Sequence, residues 1–121
     1  MNATILTVDD SRTMRDMLRM ALTDAGFRVI QAEDGLHGLD VLRQEMPEVI
    51  ITDINMPRMD GFGFIEAVRQ DAKYRAVPIL VLTTESDEEK KLRARRAGAT
   101  GWIVKPFDPV KLVSAIRRVA A

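Results

Sequence analysis

The chain has 121 residues, with 18 basic and 18 acidic side chains, one histidine and no cysteine. That length is about one domain, able to bury roughly two-thirds of its unfolded surface without covalent staples. Balanced charge offers no field to hold nucleic acid, no run approaches the ~20 apolar residues that span a bilayer, and disulfides and thiolate metal sites are excluded. The opening Met1-Asn2-Ala3-Thr4 lacks the basic and apolar regions of a signal peptide. These features predict one soluble cytoplasmic domain over residues 1–121, a monomer with no linker, repeat or low-complexity segment.

Ile5-Leu6-Thr7-Val8 is a short apolar run that ends on Asp9 and Asp10 and reads as a strand. The helix after it has Ser11 or Asp10 as N-cap, and Met14, Met17, Leu18, Ala21, Leu22 and Ala25 recur at helical spacing as one apolar stripe. Gly26 is placed to end it in the left-handed conformation. Phe27 to Ala32 reads as a second strand. Gly35 to Glu45 reads as a second helix, with Leu39, Leu42 and Met46 on its inner face and Pro47 closing it. His37 falls on the polar side of that helix and carries no functional signal.

Val49-Ile50-Ile51-Thr52 is apolar without alternation, apart from Thr52, which fits a strand covered on both faces. It finishes on Asp53, either a carboxylate presented at a strand tip or simply the start of the Asn55-Met56-Pro57 turn. After Pro57-Arg58-Met59-Asp60-Gly61, the residues Phe64, Ile65 and Val68 mark a third helix, and Pro78 to Thr83 a fourth strand. Thr84-Glu85-Ser86-Asp87 supplies caps for a fourth helix, Glu88 to Ala97. That helix can bury only Leu92, Ala94 and Ala97 among five basic residues, so its packing is light and its position easy to shift. Gly98 stops it, and Gly101 to Val104 makes the last strand. Lys105-Pro106-Phe107 leads to Asp108 or Pro109, where a closing helix begins with Leu112, Val113, Ile116 and Val119 on one face.

Five strands alternating with five helices require a parallel sheet with right-handed crossovers, a doubly wound α/β sandwich. A closed eight-fold barrel needs about twice the chain. In such a sheet Asp9, Asp10, Asp53, Thr83 and Lys105 all lie at carboxyl ends of strands and can converge on one edge. Three carboxylates in close proximity repel, and a hard divalent cation with oxygen ligands relieves that repulsion. Mg2+, with Mn2+ as the alternative, suits one or two carboxylates plus a phosphate oxygen. Lys105 adds a point charge for a phosphoryl group and Thr83 a hydroxyl donor. Transfer of phosphate to a carboxylate depends on in-line positioning and charge neutralisation rather than on proton removal. Taken singly, Asp9-Asp10 reads as a helix cap, Thr83 as a strand end and Lys105 as a solvated charge; jointly they supply what one phosphoryl site needs.

Val8-Asp9-Asp10-Ser11, Asp53 to Gly61, Leu82-Thr83-Thr84 and Val104-Lys105-Pro106-Phe107 together resemble the receiver domain of two-component response regulators, over essentially the whole chain. With no effector segment after Ala121, the likeness is to stand-alone, CheY-type chemotaxis regulators. The resemblance implies the flavodoxin-like strand order 2-1-3-4-5, of which CheY is an example. It implies that Asp53 accepts a phosphoryl group from a phosphohistidine of a sensor kinase. It assigns Mg2+ to Asp10, Asp53 and the Asn55 carbonyl, with Asp9 acting through water. Lys105 would pair with the phosphoryl oxygens, and its bond to Pro106 is expected to be cis. Thr83 would swing in to the phosphoryl group with Trp102 turning inward behind it; tryptophan replaces the commoner tyrosine or phenylalanine, and a purely structural Trp102 is the competing reading. Asn55 and Glu85 resemble the pairing of fast-dephosphorylating members, while Thr84 stands where a small residue is common.

The same resemblance puts the output surface on the fourth helix, fifth strand and fifth helix, where Lys90, Lys91, Arg95, Trp102 and Lys111 would meet an acidic partner segment. The partner would be a flagellar motor switch or a phosphorelay protein. A solvated charged face is the competing reading, because Glu88-Glu89 before Arg95-Arg96 also complements the helix dipole. Two other classes share parts of the pattern. A haloacid-dehalogenase-like phosphatase needs an acid/base Asp two residues after its nucleophile, where Asn55 stands. A flavodoxin-like binder needs a phosphate loop after the first strand, where Asp9-Asp10 would repel the phosphate. The expectation is a signalling switch that catalyses only its own phosphoryl transfer and dephosphorylation.

Overall fold

The computed structural model describes residues 3–120. Its elements run β1 (Thr4–Val8), α1 (Arg12–Asp24), β2 (Arg28–Ala32), α2 (Gly35–Gln44), β3 (Val49–Thr52), α3 (Gly61–Gln70), β4 (Ile79–Thr83), α4 (Glu88–Ala97), β5 (Gly101–Val104) and α5 (Pro109–Ala120). The five strands form one sheet in the order β2-β1-β3-β4-β5, with every pair parallel. This is the doubly wound arrangement that the alternation of elements predicts.

Alternation along each strand divides the core in two. Leu6, Val8, Ile50, Ile79 and Val81 point to the side covered by α2, α3 and α4, where Phe64, Ile65 and Val68 meet them. Ile5, Val49, Ile51, Leu80 and Leu82 point the other way, against Leu18 and Leu22 of α1 and Leu112 and Ile116 of α5. Both faces of the sheet are therefore dry, as the β-branched runs of β3 and β4 require. Helices start where a short polar side chain occupies the first free amides: Ser11 accepts the Met14 N–H at 3.2 Å, Asp34 that of His37 at 2.9 Å and Asp60 that of Gly63 at 2.9 Å. Gly26 and Gly98 end α1 and α4 at φ +94° and +122°. Left-handed backbone of this kind is open to glycine at no steric cost.

Several expectations are corrected. Met46 lies beyond the end of α2 and is 51% exposed, because the chain turns extended at Glu45. Met17 is 48% exposed; the buried line of α1 is Leu18 and Leu22, and Met17 flanks it on the solvent side. On α4 only Ala94 is buried, and Leu92 is 46% exposed. The light packing of this helix is thus greater than expected. His37 is half-buried, and its Nδ1 accepts the Glu33 amide at 3.1 Å. A single 3-10 turn, Ala72–Tyr74, is illegible in the apolar pattern. Asp71 caps it, and it buries Tyr74, whose hydroxyl donates to the Leu42 carbonyl at 3.2 Å.

Gly38 brings α2 close enough to α3 that a Cβ would stand 2.8 Å from the Phe64 ring. Gly38→Ala should therefore lower the unfolding free energy in urea by about 1–3 kcal/mol, the usual cost of overfilling a packed core. Phe64→Leu in the same chain should recover part of that loss, so that the two changes are less than additive.

Candidate functional site

Three backbone hydrogen bonds carry the parallel ladders just past the strand ends. The Asp9 amide donates to Ala32 O at 3.1 Å, the Asp53 amide to Val8 O at 2.9 Å and the Lys105 amide to Thr83 O at 2.8 Å. Each fixes the backbone of a charged residue at the carboxyl edge of the sheet, where the topology leaves a crevice. Thr52 adds a further tie, its hydroxyl donating to Asp53 O at 2.8 Å.

The side chains then converge. Lys105 Nζ donates to Asp9 Oδ2 at 2.9 Å and to Asp53 Oδ2 at 2.8 Å, in a setting where its side chain is only 10% exposed. The remaining oxygens of the pair are also engaged: Asp9 Oδ1 accepts the Ser11 amide at 2.9 Å and Asp53 Oδ1 the Ile54 amide at 2.6 Å. Arg15 Nη1 holds the Asp9 carbonyl at 2.8 Å. Asp10 stands exposed beside them, and one oxygen from each of Asp9, Asp10 and Asp53 lies within 4.8 Å of the others. Burial pushes the Asp9 carboxyl above its ordinary range, against the lowering effects of the Ser11 amide and Lys105. Burial also works against the Lys105 charge, but its bonds to Asp53 and Asp9 outweigh this and hold its pKa above the ordinary lysine value.

The donor set fits a hard divalent cation: three carboxylates face one ammonium, leaving local negative charge and oxygen ligands. Of the expected ligands, Asp10 is the freest. Asp9, at 2% exposed, is set deeper than Asp53 at 8%, which suits a role through water. Lys105, expected against a phosphoryl group, spans the two carboxylates and so stands beside Asp53 Oδ2. Its bond to Pro106 is cis, as expected.

The remaining expected residues form a second layer over the mouth of the site. Asn55 Nδ2 donates to Glu85 Oε1 at 3.2 Å, and Lys90 Nζ reaches the same oxygen at 3.1 Å. Lys90, followed by Asn55, holds the Glu85 carboxyl below its usual range. Trp102 is half-buried on the far side of this loop, its Nε1–H donating to Glu85 O at 3.0 Å. Thr83 is fully buried, and its hydroxyl accepts the Glu85 amide at 3.4 Å. Glu85 therefore links the Asn55 side of the site to the Trp102 side. Thr84 is exposed. Lys91, Arg95 and Trp102 line a cavity of about 350 Å³ between α4 and β5. Lys91 is paired with Glu88 at 3.4 Å, and Lys111 stands exposed on α5, apart from that cavity. Sequence reasoning misses Arg15, whose reach back to Asp9 across the start of α1 has no motif, and the Asp34–Arg58 pair, which joins two loops.

Because the Asp9 pKa is raised on folding, the folded state binds more protons than the unfolded state at pH values between the two pKa values, and the Asp9 contribution to stability falls as pH rises through the raised value. Asp9→Asn keeps an acceptor for the Ser11 amide and removes that charge. Its urea midpoint at pH 7 should exceed that of the unaltered protein. The gap should narrow on going to pH 4.5.

The sequence matches the response regulator receiver domain over residues 5–117. It is 40% identical to a chemotaxis protein CheY homolog of Campylobacter jejuni over 95% of this chain and 90% of that one. It is 39% identical to a probable transcriptional regulator, ycf27, of Guillardia theta over 95% of this chain, which spans only 44% of that longer protein. Among solved structures, chemotaxis protein CheY4 of Vibrio cholerae superposes with a TM-score of 0.94 and 46% identity, over 98% of this chain and 99% of that one. Among the described residues no helix is long and apolar enough to cross a membrane. The match across nearly all the chain, with the strand order and the carboxylate–lysine edge, places this protein in the family of response regulator receiver domains.

Proposed function

We propose that this chain is a phosphorylation-dependent switch. It takes a phosphoryl group from a phosphohistidine of a sensor kinase onto Asp53, in a Mg2+-dependent reaction, and thereby changes its affinity for a protein partner. The observation that carries this reading is Lys105 Nζ bridging Asp53 and Asp9 beside the exposed Asp10. A carboxylate that could accept the group, an ammonium to meet it and two further carboxylates suited to a metal thus stand together.

Asp53 supplies the oxygen that forms the new P–O bond as the P–N bond to the histidine breaks. Asp10, Asp53 and the Asn55 carbonyl would hold Mg2+, with Asp9 acting through water, and the charge neutralisation that phosphoryl transfer needs would come from that ion. Lys105 exchanges a carboxylate oxygen for a phosphoryl oxygen. Thr83 offers its hydroxyl from the neighbouring strand end. Because the Thr83 hydroxyl and the Trp102 indole both bond to the backbone of Glu85, a shift of Thr83 toward Asp53 is felt by Trp102 and by the start of α4. Partner recognition then falls to the α4–β5–α5 face, with Lys91, Arg95 and Trp102 around its cavity and Lys111 exposed on α5, apart from it. The reading is of a cytoplasmic switch with no substrate beyond its own phosphoryl group. Likeness to the CheY proteins favours chemotaxis signalling, with a motor switch or phosphorelay protein as target.

Intact mass after incubation with Mg2+ and acetyl phosphate should show one labile phosphoryl group. Asp53→Asn, or excess chelator, should reduce it to background. A stable second adduct or phosphorylation of Asp53→Asn would sink the assignment. Beryllium fluoride with Mg2+ should change the Trp102 fluorescence and the amide hydrogen exchange of α4 by severalfold. Unchanged exchange in that helix would remove the population-shift account of the output.

A further inference from the structure

The loop from Asp53 to α3 passes through a backbone conformation that few side chains adopt. Arg58 has φ +64°, and the Met59 amide donates to the Pro57 carbonyl at 2.7 Å. The chain therefore closes a three-residue γ-turn of the uncommon, strained kind, with Arg58 at its centre. Glycine meets that geometry freely, whereas a larger residue persists there only when its surroundings over-determine it.

Those surroundings are the β2–α2 junction. Arg58 Nε and Nη2 donate to Asp34 Oδ2 and Oδ1 at 2.7 and 3.0 Å, a two-pronged pair. Asp34 is 3% exposed and is also the cap of α2. Arg58 holds the Asp34 carboxyl below its ordinary range. Beside the pair, the Gly35 amide donates to Met59 O at 3.1 Å, and a Cβ on Gly35 would stand 2.6 Å from Met59 Cγ. The two loops touch with no space between them. At its base the acceptor loop is closed by the Gly61 amide on Ile54 O at 2.8 Å. A turn that had only to be short would need neither the guanidinium nor the buried carboxylate.

We infer that Asp34 and Arg58 are a positioning pair for the metal site: by pinning the outer end of the β3–α3 loop to α2, they fix the Asn55 carbonyl beside Asp53 and so raise the affinity for Mg2+. The inference rests on the proposed Mg2+ site. It adds to that site a control point that touches neither the metal nor the phosphoryl group.

The test is isothermal titration of Mg2+ into the unphosphorylated protein, Arg58→Gly and Asp34→Asn, with amide hydrogen exchange and urea unfolding of each. Arg58→Gly accepts the turn without strain but lacks the pair. Asp34→Asn keeps an oxygen for the His37 amide and loses the charge. Both should bind Mg2+ three- to ten-fold more weakly, with faster exchange at the Met59 and Gly61 amides, and the double variant should be no worse than the weaker single one. The urea midpoint of Arg58→Gly should stay level or rise, which separates positioning from a merely structural role. Affinities within twofold of the unaltered protein in both variants overturn the inference, as does weakening confined to Asp34→Asn, which would trace the effect to the helix cap. Absence of Mg2+ binding in the unaltered protein overturns this inference together with the reading of the site.

Discussion

A single ammonium group, Lys105 Nζ, holds two carboxylates that the fold brings together from the first and third strands. Placing these charges in a pocket where each side chain is about nine-tenths buried is unfavourable unless they compensate one another. The compensation is geometric as well as electrostatic, since the ladder bonds at Asp9, Asp53 and Lys105 fix all three backbones before the side chains meet. It is also incomplete: with Asp10 alongside, three negative charges face one positive charge. That imbalance leaves the edge attractive to a cation. Full neutralisation would leave a rigid structural cluster with nothing to attract a cation.

The layer above depends on this edge. Asn55, Glu85 and Lys90 form a polar chain across the mouth of the site, and Trp102 joins it through the Glu85 carbonyl. Glu85 therefore joins the mouth of the site to the surface between α4 and β5 through a single residue. This connection is made of hydrogen bonds to one loop rather than of tightly packed side chains. Such a link tolerates two arrangements more readily than a close-packed core does.

Much of this was legible in the sequence for a simple reason. Parallel strands buried on both faces are written as unbroken apolar runs, and a charged residue at the end of such a run has only one place to go. Asp9, Asp53 and Lys105 were found in this way, and the caps and Gly26 and Gly98 marked the helices between them. What periodicity does not encode is the angular width of the buried stripe. Met17 and Leu92 have helical spacing but lie at its margin, and Met46 follows a helix that ends earlier than its apolar pattern suggests. Pairings between loops are less legible still. Asp34 and Arg58 are 24 residues apart in segments without periodicity, and only the fold makes them neighbours. The 3-10 turn at Tyr74 depends likewise on a distant carbonyl, that of Leu42.

The fourth helix is fastened by different kinds of contact at its two ends. At the carboxyl end, Arg69 of α3 donates to Gly98 O at 3.0 Å and to Tyr74 O at 2.8 Å, a directional joint that a small displacement would break. Midway, the Arg93 guanidinium lies 4.0 Å from the centre of the Phe62 ring. A cation–π contact of this kind is less directional than a hydrogen bond and lets one surface glide over the other. At the amino end the tie is the half-exposed Lys90–Glu85 pair, open to exchange with water. Stiffness is thus graded along the helix, firm at Gly98 and loose toward Glu88. The helix is built like a hinged arm whose free end lies beside the loop that carries Glu85.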